Sequence, residues 1–344
     1  MGATNEIAVK WRQQRVTRLV TGSIVWLVVL CGLVYYKWGS AEAAIAGVRA
    51  SGRWSGTAEG LTMGGTLRAF VFYFRRIWIA LAFGLVIAAM VRAFVSPRRI
   101  VVLFGRNRLI RSQLACGLAG APLMLCSCCV TPIFQSVYET GARLSSAVTV
   151  MLASPGLNPA ALLLTFLLFP AKLGWARLCS ALAATLLLPP LLESISGKVR
   201  VRPLLVDDSR EREDSESFRG AAVSFMRALW HVSLRTIPYL VIGVFVSSLM
   251  VPWALRLSTG GPILVASVAA VAVVVSLPTF FEFPFALLLM SAGSPGGAAA
   301  MLIAGPLINL PSLIIFGRET SLRVAAGLAV GVWLIAVLAA LGVS

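Results

Sequence analysis

The sequence is short of charge, shorter still of acid, and has a single histidine. Charged residues make up 12% of its 344 positions, against about 25% in soluble domains, so the chain cannot cover itself with a water-facing surface. A mean hydropathy of +0.89 agrees with this. The catalytic signatures of common enzymes are missing too. There is no Walker loop, no Rossmann glycine run, no His-Glu-x-x-His pair and no Gly-x-Ser-x-Gly elbow, which argues against ATP hydrolysis and gives no reason to expect a cofactor. The lone His231 lies far from the cysteines, so no zinc-type metal site is expected.

What is there is apolar and basic. Apolar runs fall near 19–36, 69–95, 113–137, 145–169, 174–193, 225–254, 262–290, 297–316 and 322–343. Each approaches the roughly 20 residues that span a bilayer. The expected fold is an all-α, polytopic transmembrane helical bundle. The net charge of +17 comes from Lys and Arg set between the apolar runs, the pattern of cytoplasmic loops rather than of a nucleic-acid surface. Membrane lipid is therefore an expected partner, through anionic headgroups, and nucleic acid is not.

The first run follows a basic head of Lys10, Arg12, Arg15 and Arg18 and ends at Tyr35-Tyr36-Lys37-Trp38, as an uncleaved signal-anchor helix with an interfacial belt would. The stretch 97–111 holds Arg98, Arg99, Arg106, Arg108 and Arg111 without an acid and is expected inside. Counting nine spans places Lys172, Arg177, Arg256, Arg318 and Arg323 on the same side and the linker 194–220 outside. A re-entrant segment would instead move the linker to the cytoplasm.

The chain divides into a basic N-terminus with its anchor helix and loop (1–66), a first membrane repeat (67–193), the hydrophilic linker (194–220) and a second membrane repeat (221–344). Each repeat has about four segments, and the N-terminal helix is extra. The evidence is a shared offset. Ser154-Pro155-Gly156-Leu157-Asn158 matches Gly305-Pro306-Leu307-Ile308-Asn309 at 151 residues, and Pro132 matches Pro284 at 152. Repeats of this kind are a building plan of secondary transporters. An even number of spans per half would make them parallel and an odd number inverted.

Three features could carry chemistry. Cys126, Cys128 and Cys129 lie within four residues, beside Ser127, Thr131 and Pro132. Thiols are small apolar packers in helices but also soft ligands for thiophilic species. On a regular helix Cys126 and Cys129 share a face and Cys128 points elsewhere, unless Pro132 distorts the turn. The second feature is the paired motif of Ser154, Pro155 and Asn158 with Pro306 and Asn309. A broken backbone at membrane depth is tolerated only where protein buries it or it lines a cavity, so its duplication points to a substrate site between the halves. The third is Glu282, among Phe280, Phe281 and Phe283. It is either an interfacial helix-end residue or a proton-coupling group.

At these residues the chain resembles the bacterial predicted-permease family that includes the organoarsenical efflux permeases. The resemblance rests on Cys126-Ser127-Cys128, Pro132, Gly141, Leu152-Ala153-Ser154-Pro155 with Asn158-Pro159, and Ala304-Gly305-Pro306 with Asn309, and runs from about residue 70 to the end. The chain departs from the family pattern at Cys129, where a small residue is common, and at Leu125. The resemblance implies a multi-pass secondary permease of the bacterial inner membrane whose small-molecule substrates are trivalent organoarsenicals, exported from the cell. A membrane thiol oxidoreductase and a non-transporting scaffold subunit are the competing readings, and association into a homo-oligomer is left open.

Overall fold

The computed structural model describes residues 27–36, 38–39, 42, 63–94, 109–139, 141–196, 218–254, 261–276, 280 and 282–344. Among them every regular element is helical. In chain order these are α1 (Leu27–Tyr36), α2 (Met63–Phe94), α3 (Leu109–Gly120), α4 (Ser127–Glu139), α5 (Leu144–Gly156), α6 (Pro159–Leu168), α7 (Ala171–Ser196), α8 (Phe218–Ala254), α9 (Gly261–Val274), α10 (Glu282–Ser291), α11 (Pro295–Leu307), α12 (Leu310–Glu319) and α13 (Leu322–Leu341). Of the linker, only 194–196 and 218–220 fall within the described residues.

Apolar length sets the spans. α5 and α6 together cover 25 residues, about 37 Å at 1.5 Å per residue and enough for a hydrocarbon core of roughly 30 Å. α7 and α13 also qualify, and α11 with α12 forms a further span bent by 43°. α2 and α8, with 32 and 37 residues, exceed the required length. This is a multi-pass membrane protein.

The breaks inside the spans follow from local chemistry. Pro155 and Pro306 sit in the last turn of α5 and α11, where a missing N–H and a crowded ring stop a helix. Asn158 and Asn309 restart it. Asn158 Oδ1 accepts from the Ala160 and Ala161 N–H groups. Asn309 Oδ1 accepts from the Ser312 N–H, while Ser312 Oγ accepts from the Asn309 N–H, a reciprocal capping box. Pro159 and Pro311 fill first-turn positions that need no donor.

Side-chain contacts give the direction of each helix. Ser112 pairs with Ser146, and Gly120 packs on Val150 and Ala153, so α3 runs parallel to α5. α4 then returns to the side where α3 began, because the chain passes from its end at Glu139 to the start of α5 at Leu144. α3 and α4 therefore form a re-entrant hairpin. Its tip, with Met124 in the left-handed region at φ 49°, lies mid-bundle. In the second half, Gly296 packs on Val265 and on the Ala340 and Ser344 end of α13. α9 thus starts beside the start of α11, and α10 leads back to that same end, a second hairpin.

The two halves run in opposite senses. Lys172 Nζ donates to the Val343 carbonyl, so α7 begins at the end where α13 stops and α11 starts. Gln135, near the end of α4, reaches Glu319, the last residue of α12. α5 therefore enters from the side at which α12 leaves. The matching is close in sequence as well. Leu144, Pro159 and Ala171 open α5, α6 and α7, while Pro295, Leu310 and Leu322, each 151 residues later, open α11, α12 and α13. Each half has three spans and one hairpin, an odd number of crossings.

The count of nine spans therefore does not hold, because the runs at 113–137 and 262–290 double back. Lys172 moves to the side opposite Arg111, where the basic stretch of the sequence ends. α7 ends at Ser196 on the basic side, which brings the start of the linker there. Arg318 and Arg323 keep their expected side. Substituted cysteines at Arg111, Arg143 and Ser196 will react with a membrane-impermeant maleimide from one face of oriented vesicles, and one at Lys172 from the other. Nine full spans would put Arg143 opposite Arg111.

Candidate functional site

The hairpin tips and the span breaks meet at one small pocket. It is lined by Leu125, Cys126 and Ser127 from the first tip, Pro155, Asn158 and Ala161 from the first break, Glu282 from the second tip and Pro306 from the second break. The space between them takes little more than a water-sized body. Ser127 and Glu282 are the first residues of α4 and α10, and Asn158 is the N-cap of α6. Three helix N-termini therefore line the site, and their partial positive charge favours negative groups such as the Glu282 carboxylate.

The three cysteines come together. Sγ of Cys126 stands 2.7 Å from that of Cys129 and 3.2 Å from that of Cys128, and Cys128 and Cys129 are 3.8 Å apart. All three are buried free thiols. Helical periodicity sends Cys128 away from the other two. The structure differs because α4 begins only at Ser127, so Cys126 precedes the helix and folds over its first turn. Its carbonyl accepts from the Cys129 and Val130 N–H groups, both at 3.0 Å. Three soft donors within 4.8 Å of one another can hold a single thiophilic centre. Cys126 faces the pocket, with Cys128 and Cys129 behind it.

The neighbouring backbone holds this tip in place. Ser154 does not line the pocket. Its hydroxyl accepts from the Leu125 N–H at 3.1 Å and so ties the tip to the break in α5. α2 presses on the other side at Gly84, where a Cβ would lie 2.2 Å from the Cys129 carbonyl oxygen. Asn309 also stays outside the lining, capping α12 behind Pro306. The motif halves still meet directly, since a Cβ at Gly156 would lie 2.7 Å from a methyl of Leu307. Nδ2 of Asn158 and of Asn309 is buried without a partner, an unusual cost in an apolar interior.

Glu282 is buried at 2% exposure and paired with Arg177 at 3.1 Å. Arg177 also donates to Thr165 Oγ1 at 2.9 Å and stacks over the Phe283 ring at 5.2 Å. The charge pattern of the sequence places Arg177 among loop cations; the structure makes it the counter-ion of the pocket carboxylate. A signal was present. Arg177 lies seven residues into an apolar helix, a full turn deeper than Lys172, and a charge at that depth calls for a partner.

Helices long and apolar enough to cross a bilayer, two opposed hairpins and a small pocket between the span breaks are the architecture of a membrane permease. Comparison with known proteins then places it. The model of the predicted permease family matches residues 63–344, and the chain belongs to that family. It is 26% identical over 306 residues to UPF0718 protein YraQ of Escherichia coli (strain K12), covering 86% of this chain and 87% of that protein. Over 118 residues it is 26% identical to UPF0718 protein MJ0584 of Methanocaldococcus jannaschii, covering 34% of this chain and 32% of that protein. No solved structure matches.

Three substitutions probe the site's construction. Arg177→Met or Glu282→Leu alone leaves a buried charge unpaired and will cost about 3–5 kcal/mol, whereas the double substitution will recover most of that loss. Thermal unfolding of the purified protein in detergent reads both. Gly84→Val will force α2 off the cysteine turn and lower the same transition, with an overpacking cost of about 1–3 kcal/mol.

Proposed function

We propose that this chain is a secondary permease of the bacterial inner membrane that exports a small thiophilic solute, with trivalent organoarsenicals as the favoured class. The observation that carries this reading is the cluster of Cys126, Cys128 and Cys129, whose first member lines a pocket between two broken spans. Residues 67–193 and 221–344 act as two inverted membrane repeats, and the solute binds where they meet. The basic stretch 97–111 marks the cytoplasmic face.

The chemistry needs no redox partner. A methylated arsenite carries two hydroxyl groups on arsenic. Each thiol that attacks forms one sulfur–arsenic bond, and the displaced hydroxide leaves as water with the thiol proton. Hydrolysis reverses each step and releases the solute. Cys126 and Cys129, 2.7 Å apart, are the nearest pair for the first two bonds, and Cys128 stands by for exchange. Asn158 and the helix N-termini supply donors for the hydroxyl oxygens. Glu282 is the proton-coupling group of this reading, since neutralising it removes its attraction for Arg177 and so loosens the tie between α10 and α7.

The test is uptake of methylated arsenite into everted vesicles. Uptake will be lost in a variant with Cys126, Cys128 and Cys129 all changed to Ser, and unchanged uptake would remove the cysteines from the mechanism. In the Glu282→Gln protein, transport will no longer respond to a protonophore. Retained sensitivity would place the coupling group elsewhere.

A further inference from the structure

α4 carries Ser127, Thr131, Gln135 and Glu139 at a spacing of four. Such positions form one band along a helix, drifting by about 40° per step. The band starts in the pocket, which Ser127 lines, and runs to the basic side, where Glu139 meets Arg235, a residue 42% exposed. Ser127, Thr131 and Gln135 are all buried. Polar groups in a membrane interior are costly unless they are paired or face a cavity.

The pairing along this band comes from the opposite half. Gln135 Nε2 donates to Glu319 Oε1 at 3.0 Å, and its Oε1 accepts from Thr236 Oγ1 at 2.8 Å. Glu139 pairs with Arg235. Thr236 and Arg235 belong to α8, and Glu319 ends α12. The first hairpin is thus latched to the second half by side chains that water could equally well satisfy. Thr131 differs, donating to the Ser127 carbonyl of its own helix at 2.7 Å. Its hydroxyl stays on the band whether the latch is closed or open.

Among the described residues the second hairpin has no such band. At the register that matches Pro132 with Pro284, Phe283, Leu287 and Ser291 of α10 stand for Thr131, Gln135 and Glu139. α4 is buried from Ser127 to Tyr138, whereas much of α10 is only half-buried. An inverted pair of hairpins therefore offers a polar way out on one side and an apolar one on the other.

We propose that the polar band of α4 is the route between the pocket and the basic side, and that Gln135, bridging Glu319 and Thr236, is the residue that closes it. This rests on the pocket being the solute site, but it predicts access without reference to any solute. The route suits a small hydroxylated solute that keeps part of its water, since each step offers an oxygen or an amide.

The test is labelling of a Thr131→Cys protein, with all native cysteines kept, by a membrane-impermeant maleimide in vesicles of both orientations. Modification is read at position 131 by peptide mass. Position 131 will react from the basic side only. Adding Glu319→Ala, which leaves Gln135 in place and removes its acceptor, will speed that reaction by about tenfold, the factor that one hydrogen bond to a charged group is worth. No reaction from the basic side, reaction from the opposite side, or a rate indifferent to Glu319→Ala would overturn the proposal. Since labelling uses no substrate, it can succeed where arsenite transport fails, and the reverse.

Discussion

A helix end inside a bilayer leaves backbone donors and acceptors that lipid cannot satisfy, and this protein puts several of them at its centre. The spans break at Asn158 and Asn309, and the hairpins turn near Met124 and before Glu282. Each break must be closed by protein. Asn158 and Asn309 close their own with side-chain caps. Ser154 secures the first tip from the neighbouring span. Gathering the breaks in one place buries them all together, and the pocket is what remains between them. The polar groups gathered at the site and the shape of the fold thus have a common origin.

Packing on this scale depends on small residues. The carbonyl of Cys129 can lie against α2 only because position 84 is glycine, and α5 meets α11 closely at Gly156. The ion pair between Arg177 and Glu282 joins the last span of one half to the hairpin of the other. It is weak evidence for stability, since desolvation takes back much of the Coulomb gain. Its value lies in position: a carboxylate held at a helix N-terminus and at the pocket wall, with its cationic partner Arg177 on another element.

Much of this was legible in the chain. The apolar runs gave the all-α membrane bundle, and the paired Pro-x-x-Asn motif located the two breaks and the offset between the halves. The cysteines and Glu282 were marked by their cost in an apolar setting. Run length could not show that 113–137 and 262–290 double back, because a hairpin of two short helices is as long and as apolar as one span. That single ambiguity inverted the side of Lys172 and left the linker undecided. Helical periodicity misplaced Cys128 because it assumed a helix through Cys126, where the structure has a turn. The depth of Arg177 in an apolar helix calls for a partner, but the sequence does not say which one, because Glu282 lies 105 residues away. The polar band on α4 has a plain four-residue period, but only the opposing residues from α8 and α12 give it a purpose.

On the proposed function, the cysteine cluster at the hairpin tip is where the thiophilic solute binds. Arsenic-edge X-ray absorption on the purified protein loaded with a methylated arsenite tests it most directly. Sulfur neighbours around arsenic are expected in the unaltered protein, and they will disappear when Cys126, Cys128 and Cys129 are all changed to Ser. An arsenic shell of oxygen and carbon alone in the unaltered protein would contradict it.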